Sequence, residues 1–435
     1  MHKYQPQTKE NIQSMLEVIG APSQEALFNV IPKSIKDKAS FDLPHALDDI
    51  ALTKHMSALA DLNQQLLIFR GGGAFDHYIP TAVKSITSRQ EFLTSYTPYQ
   101  PEVSQGTLQY IFEYQSIVCE LTGMDVSNAS MYDGSTATAE AMFMAYAITK
   151  KNTIYISKTI DEHVLKVIET YAKFRGIEII LIKEQQGITD INDLKNQSSD
   201  SMGIIIQSPN KYGHIEPLDD IHPWIHERKG LVILNREAGA LPLFTTPFKE
   251  GADIACGDMQ AFGLSLQSGG PYIGYLATNK AYVRKMPGRI CGMTTDVDGK
   301  TGFVLTLQAR EQHIRRDKAN SNICSNQSLN ALAVTVYVSL FGKQGLIGVS
   351  QTCYDRASYL KNQLLNTGLF EDPFKQPHFK EFTLRYKKDP KELNKKLLEK
   401  DILGPIIRNS YVTFAVTEKR SKDDIDLLIK EVVSC

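Results

Sequence analysis

The chain has 435 residues, 48 basic against 49 acidic side chains for a net charge of −1, and 42% hydrophobic residues. At roughly 150 residues per domain this length allows two or three domains, with a core large enough to need no disulfide staples. Near-zero net charge disfavours nucleic acid and anionic membranes as partners, and with no signal-peptide run and no visible apolar stretch of about 18 residues a cytoplasmic location is expected.

Thr8 is placed to cap a helix whose Ile12, Met15, Leu16 and Ile19 follow the i, i+3, i+4, i+7 pattern and which Gly20 stops. That apolar stripe must pack on something. More helix is predicted over 46–68, through Met56, Leu59, Leu66 and Leu67, and over 107–122, through Leu108, Ile111, Phe112 and Val118, ending at Gly123. From about residue 129 short β-branched runs alternate with helical stretches. Strands are predicted at 153–157, 177–182, 203–207, 231–234, 253–255 and 272–276, with a helix through Leu165, Ile168 and Ala172 between the first two. Such strands, buried on both faces and separated by helices, signal an α/β domain on a largely parallel sheet, whose ligands sit at the carboxyl ends of the strands. After helix near 326–342 come a helix with Ala357, Leu360 and Leu364, a strand with Phe382, Leu384 and Tyr386, a basic helix around 390–400, a strand at 411–416 and a last helix. Ser421 opens that helix with Asp424 three residues on, a variant capping box. The expected organisation is an N-terminal helical segment (1–68), a large domain (69–342) and a small α+β C-terminal domain (343–435).

There is no GxxxxGK[ST], GxGxxG or HExxH motif, so common nucleotide and zinc-protease readings lose support. His222 and His226 are four apart, but with no third ligand nearby they read as a surface helix start around Pro223. Cys119, Cys256, Cys291, Cys324, Cys353 and Cys435 are scattered singly and read as reduced, packed thiols. The lysines 387, 388, 391, 395 and 396 read as a solvated face. Gly71–Gly73 favours a structural turn over a phosphate contact. The segment 131–137 is a Gly/Ser/Thr turn opening a helix, equally a phosphate cradle or an ordinary cap. Tyr96, Thr97, Tyr99 and Gln100 lie in an aromatic, Pro-rich loop that is either a site lining or a rigid turn on the core.

Several stretches together resemble a known family: FRGGGAFDHYIPTAV (69–83), TSYTPYQPEVSQGTLQYIFEYQ (94–115), YDGSTATAEAM (132–142), QSGGPYIGYLAT (267–278) and the long RKMPGRICGMTTDVDGKTGFVLTLQAREQHIRRDKANSNICSNQ (284–327). They are similar to the P-protein of the glycine cleavage system, the pyridoxal-phosphate-dependent glycine decarboxylase, and within it to subunit 1, the alpha subunit of the two-subunit form. The resemblance implies a fold-type I, aspartate aminotransferase-like chain. It also implies pairing with a homologous subunit 2 in an α2β2 assembly that releases CO2 from glycine and passes the aminomethyl group to the lipoyl arm of the H-protein.

Pyridoxal chemistry needs a Lys for the Schiff base and an acidic partner for the ring nitrogen. In the segment similar to the catalytic homologues' lysine region, Ala261 takes the Lys position and Gln260 that of the preceding His, and no Lys occurs from Glu250 to Asn279. Asn235 stands where the acid is expected, and a neutral amide cannot replace a carboxylate's charge. The expectation is therefore a catalytically silent chain with no metal and no covalently bound cofactor of its own, pyridoxal phosphate being held by the partner subunit. Tyr96, Thr97, Tyr99 and Gln100 are candidates for substrate or ring contacts across the interface, and the Ser268, Gly269, Gly270 turn for phosphate N–H donors. Arg289 reads either as added positive charge there or as a structural salt bridge. The competing readings are a purely structural or regulatory partner, a stand-alone pyridoxal enzyme of related fold, and non-covalent phosphate binding at 134–140. A large partner-facing apolar surface is expected in addition to the core.

Overall fold

In the computed structural model, which describes residues 6–40, 42–198, 200–267 and 270–434, packing separates a unit ending at Gln64 from one that begins at Gln65. In the first, Thr8 Oγ1 accepts from the Asn11 N–H at 3.2 Å, and Gly20 closes the helix Lys9–Ile19 in the left-handed conformation. Of the predicted stripe only Leu16 is buried, while Met15 and Ile19 remain open. The second helix runs Asp49–Ala60 and leaves Ile50, Met56 and Leu59 exposed. It stops short of the predicted 68, because Leu67–Ile68 forms a two-residue strand paired in parallel with Ile402–Leu403.

The larger unit is built on a seven-stranded sheet in the order Val126–Ser127, Gly274–Thr278, Ile254–Asp258, Leu231–Asn235, Ser201–Gln207, Thr153–Ser157, Glu178–Ile182. The last five are parallel, Gly274–Thr278 runs antiparallel to both of its neighbours, and the edge strand Val126–Ser127 therefore runs in the same direction as the five. Alternate side chains feed two cores, as the period of two demands. Met202, Ile205, Leu231 and Ile233 pack with Ala137, Ala141 and Met144 of the helix Gly134–Thr149. Ile204, Ile206, Val232 and Leu234 pack on the opposite face with Trp224, Ile225, Val334 and Tyr337. Helices thus cover both faces, which is why these strands read as continuous apolar runs.

The helix Ser328–Asn366 is two helical segments meeting at Gly342, whose φ of 59° breaks the helical path. By composition it is apolar and long enough to cross a membrane, which corrects the expectation that no such stretch exists; Ala331, Val334 and Tyr337 nevertheless lie in the core. Beyond it a four-stranded antiparallel sheet, Phe370–Glu371, Glu381–Tyr386, Tyr411–Ala415 and Ile406–Arg408, buries Phe382, Leu384, Val412 and Phe414 against Leu360, Leu364, Leu397 and Leu428. The capping box forms, with Asp424 N–H donating to Ser421 Oγ at 3.1 Å and Ser421 N–H to Asp424 Oδ2 at 2.8 Å. The five lysines between 387 and 396 are all exposed. Gly71–Gly73 is a structural turn fastened to this sheet. The Gly72 N–H donates to Glu381 Oε1 at 2.8 Å, and a Cβ on Gly71 would lie 2.2 Å from the same oxygen.

Candidate functional site

The carboxyl ends of two central strands meet the start of the helix Gly134–Thr149. The close approach is possible because Gly134 has no side chain: a Cβ there would lie 2.8 Å from the Asp258 nitrogen. Asp258, the last residue of its strand, accepts from the Gly134 N–H at 3.2 Å through Oδ2 and from the Gln260 N–H at 2.7 Å through Oδ1. Asp133 caps the same helix by accepting from the Thr136 N–H at 2.7 Å. Two carboxylates therefore occupy a helix N-terminus, the place where an incoming anion would find free N–H groups and the positive end of the dipole. Of the two readings of this turn, the geometry realises the cap. Burial pushes the Asp258 carboxyl up to about 7, against the pull of the Gln260 and Gly134 N–H groups.

Asn235 ends the neighbouring strand and is nearly buried. Its amide donates to Thr138 Oγ1 at 2.8 Å, tying the strand end to the helix. Arg236, 1% exposed, fixes the chain beyond it by donating to Ser208 O, Thr245 O and the Glu250 carboxylate. Ala261 is buried, and Gln260 beside it is turned inward, accepting from the Phe75 N–H at 2.8 Å and donating to Phe75 O at 2.9 Å and Leu264 O at 2.7 Å. These bonds replace anything Gln260 could offer a ligand.

A second polar cluster lies against the Phe75 ring. Lys380 Nζ sits 3.7 Å over the Phe75 ring, 2.9 Å from His77 Nε2 and 3.1 Å from Glu237 Oε1, and His77 Nδ1 is 2.6 Å from Glu418 Oε2. Burial, with Lys380 adding to it, holds the His77 imidazole below its ordinary value, so the neutral ring passes a hydrogen bond from Lys380 to Glu418. His77, Cys353 and Glu418 offer three donor atoms within 4.8 Å of one another. Both ring nitrogens are already committed, and the Lys380 amine opposes a second cation there. The buried Lys380 amine is thus tied into this cluster.

The aromatic loop lies elsewhere. Tyr96 is 80% and Tyr99 51% exposed, Gln100 is also exposed, and Thr97 is half-buried beside the buried Pro98. The fold brings Tyr99 and Arg289 together, the guanidinium 5.4 Å from the ring centroid. Arg289 Nε stands 3.6 Å from Glu311 Oε2, close enough for ion-pair attraction, yet neither Arg289 Nε nor Glu311 Oε1 has a hydrogen-bond partner. Among the described residues no hydrogen bond joins this group to Asn235, Asp258 or Gln260. Gly270 has a left-handed φ of 95°, whereas Ser268 and Gly269 lie outside the described residues. His222 and His226 share a helix, and His226 pairs with Asp253 at 2.8 Å. Sequence reasoning missed Asp258, Arg236 and the Lys380 cluster. The one available signal was an acid ending a strand three residues before Ala261.

A mainly parallel sheet with helices on both faces and a small antiparallel C-terminal sheet defines the fold-type I class of pyridoxal-phosphate enzymes. Solved structures agree on the fold: glutamate decarboxylase of Lactobacillus brevis superposes with a TM-score of 0.67 at 13% identity, covering 93% of this chain and 96% of that one. At the level of family, the model for the glycine cleavage system P-protein matches residues 2–432. A relative from Geobacillus sp., "Probable glycine dehydrogenase (decarboxylating) subunit 1", is 46% identical over 447 residues, covering 100% of this chain and 99% of its own. One of the same description from Anoxybacillus flavithermus is 46% identical over 444 residues, 99% of each chain. A crystal structure of glycine decarboxylase (P-protein) of the glycine cleavage system, in inhibitor-bound form, matches with a TM-score of 0.93 at 37% identity over 99% of both chains. The chain belongs to the glycine cleavage system P-protein family.

The residues at the strand ends do not fit a covalently held pyridoxal phosphate. The cofactor needs an amine, an acid at the ring nitrogen and open N–H groups for its phosphate. Here stand Ala261, Asn235 and a helix start capped by Asp133 and Asp258.

Proposed function

We propose that this chain is the non-lysine-bearing alpha subunit of a two-subunit glycine decarboxylase. With subunit 2, in an α2β2 assembly, it decarboxylates glycine, releases CO2 and delivers the aminomethyl group to the lipoyl group of the H-protein. Pyridoxal phosphate is bound covalently by subunit 2 and not by this chain, which is inactive alone and works in the cytoplasm. The observation that carries this reading is Asp258, whose carboxylate occupies the helix N-terminus beside the lysine-free position 261.

Tyr96, Thr97, Tyr99, Gln100, Gly269 and Gly270 are the residues this chain contributes toward the partner's site. The exposed Tyr96 phenol, and the exposed Tyr99 phenol beside a buried Arg289 with an unused donor, support that role. The outward-facing Val18, Val30, Ile50 and Leu62 of the N-terminal unit support a partner-covered apolar surface. The test is to mix the purified chain with pyridoxal phosphate, first alone and then with subunit 2, lipoylated H-protein and carboxyl-labelled glycine. No visible absorption band is expected from the chain alone, and labelled CO2 only from the pair. A stoichiometric band from this chain alone would falsify the silent-subunit reading.

A further inference from the structure

A cleft of about 320 Å³ opens where the helices Gly134–Thr149 and Glu162–Arg175 meet the 322–323 segment. It lies outside the cluster of Asn235, Gln260 and Ala261. Thr136, Glu140 and Phe143 line it from one stripe of the first helix, and Tyr171 and Arg175 from the second. Its volume falls at the lower end of the range for small-molecule sites.

Glu140 is 5% exposed and its Oε2 has no hydrogen-bond partner. A buried carboxylate oxygen left unpaired is costly, and a partner supplied from outside the chain removes that cost. Arg175 faces the same cleft. Its guanidinium lies 5.0 Å from the Phe143 ring centroid, and among the described residues it makes no ion pair. Opposite charges thus line one cleft without reaching each other, and the Phe143 and Tyr171 rings that line it with them have centroids 5.5 Å apart. A simple cation would meet Arg175 and a simple anion would meet Glu140, each with repulsion. A small molecule carrying both charges satisfies both groups, and the rings favour an ammonium nearby and an apolar body packed against them.

We propose that this cleft binds a free α-amino acid as its zwitterion, the ammonium on Glu140, the carboxylate on Arg175 and an apolar side chain against Phe143 and Tyr171. Burial holds the Glu140 carboxyl up at about 7, while the Ser321 hydroxyl and Arg175 pull it down. Tyr171 is the other titratable group influenced by it. An arriving ammonium therefore draws a proton off Glu140, so binding near neutral pH releases protons.

The experiment is calorimetric titration of the full-length chain near pH 7 with L-phenylalanine, L-leucine and glycine, in two buffers of different ionisation enthalpy. L-phenylalanine or L-leucine is expected to bind at millimolar concentration or below, with a buffer-dependent heat that reports proton release. Phenethylamine and 3-phenylpropionate, each carrying one of the two charges, are expected to bind at least tenfold more weakly. Glu140→Gln, an isosteric change, and Arg175→Gln, on an exposed side chain, are each expected to weaken binding at least tenfold while leaving the melting transition in place. No heat from any amino acid, equal binding of phenethylamine, or unchanged affinity in both variants overturns the proposal.

Discussion

Two polar regions of this chain handle hydrogen bonding in opposite ways. At the strand ends Asp258, Gln260, Asn235 and Arg236 turn toward their own chain, and each finds protein partners. Around the aromatic loop the bonding is incomplete: Tyr96 and Tyr99 are exposed, and although Arg289 Nη2 donates to the Tyr99 hydroxyl at 3.5 Å, Arg289 Nε and Glu311 Oε1 go unpaired. The first arrangement stabilises strand ends whose segment from Glu250 to Asn279 carries no lysine. The second has the character of a surface awaiting a complement, since buried polar groups without partners are rare in a finished structure. What separates the two regions is therefore not the type of their polar groups but how far their hydrogen bonds close within the chain.

The sharpest way to break the comparison is at Gln260. Gln260→Leu leaves the Phe75 N–H and the Leu264 carbonyl without their Gln260 partner and removes one of the two hydrogen bonds accepted by the Phe75 carbonyl, which keeps the one from the His77 N–H. At 1–3 kcal/mol for each unsatisfied group, and less than additively, the loss is expected to be about 3 kcal/mol. A lowered denaturant midpoint at unchanged slope is the signature. A change within experimental error would show that the inward turn of Gln260 contributes nothing.

The aromatic loop should respond in the reverse sense. Tyr99→Ala removes an exposed ring, so the isolated chain keeps its melting transition, while glycine decarboxylation by the assembled pair falls about tenfold, close to 1.4 kcal/mol of transition-state stabilisation. Tyr96→Phe and Gln100→Ala delete single polar contacts and are expected to cost severalfold at most. Unchanged kinetics in all three variants, with assembly intact, would leave this chain a structural partner and nothing more.

Much of the fold was legible because its cause is local. Runs such as Ile204–Ile206 and Leu231–Leu234 carry the signature of strands covered on both sides, and Thr8 and Ser421 announce their helices by short-range capping. Leu67 was misread because a two-residue strand has no periodicity and exists only through Ile402, far along the chain. The emptiness of position 261 was legible as a missing residue type. The seating of Asp258 on Gly134 was not, since it depends on two segments 124 residues apart meeting where glycine lets them. The Lys380 to His77 contact spans 303 residues and left no local trace at all.

The smallest expected effect tests the Asp258 seat through its titration. Burial first, and the neighbouring Asp133 and Glu237 after it, raise this carboxyl from 3.8 to about 7, although the Gly134 and Gln260 N–H groups resist. Between those values the folded chain holds a proton that the unfolded chain has released, so unfolding free energy falls as pH rises, by at most about 1.4 kcal/mol per pH unit. Glu140 and Glu381 are raised to about 7 as well and impose the same trend on the parent chain. Asp258→Asn removes one proton from that balance while losing one of the two accepted hydrogen bonds. Relative to the parent it should be least stable near pH 4 and recover on the order of 1 kcal/mol by pH 7, the shift being damped because Asp258 is partly exposed. Parallel stability curves for the two proteins would mean that this carboxyl titrates in water, and that the helix start is open to an anion after all.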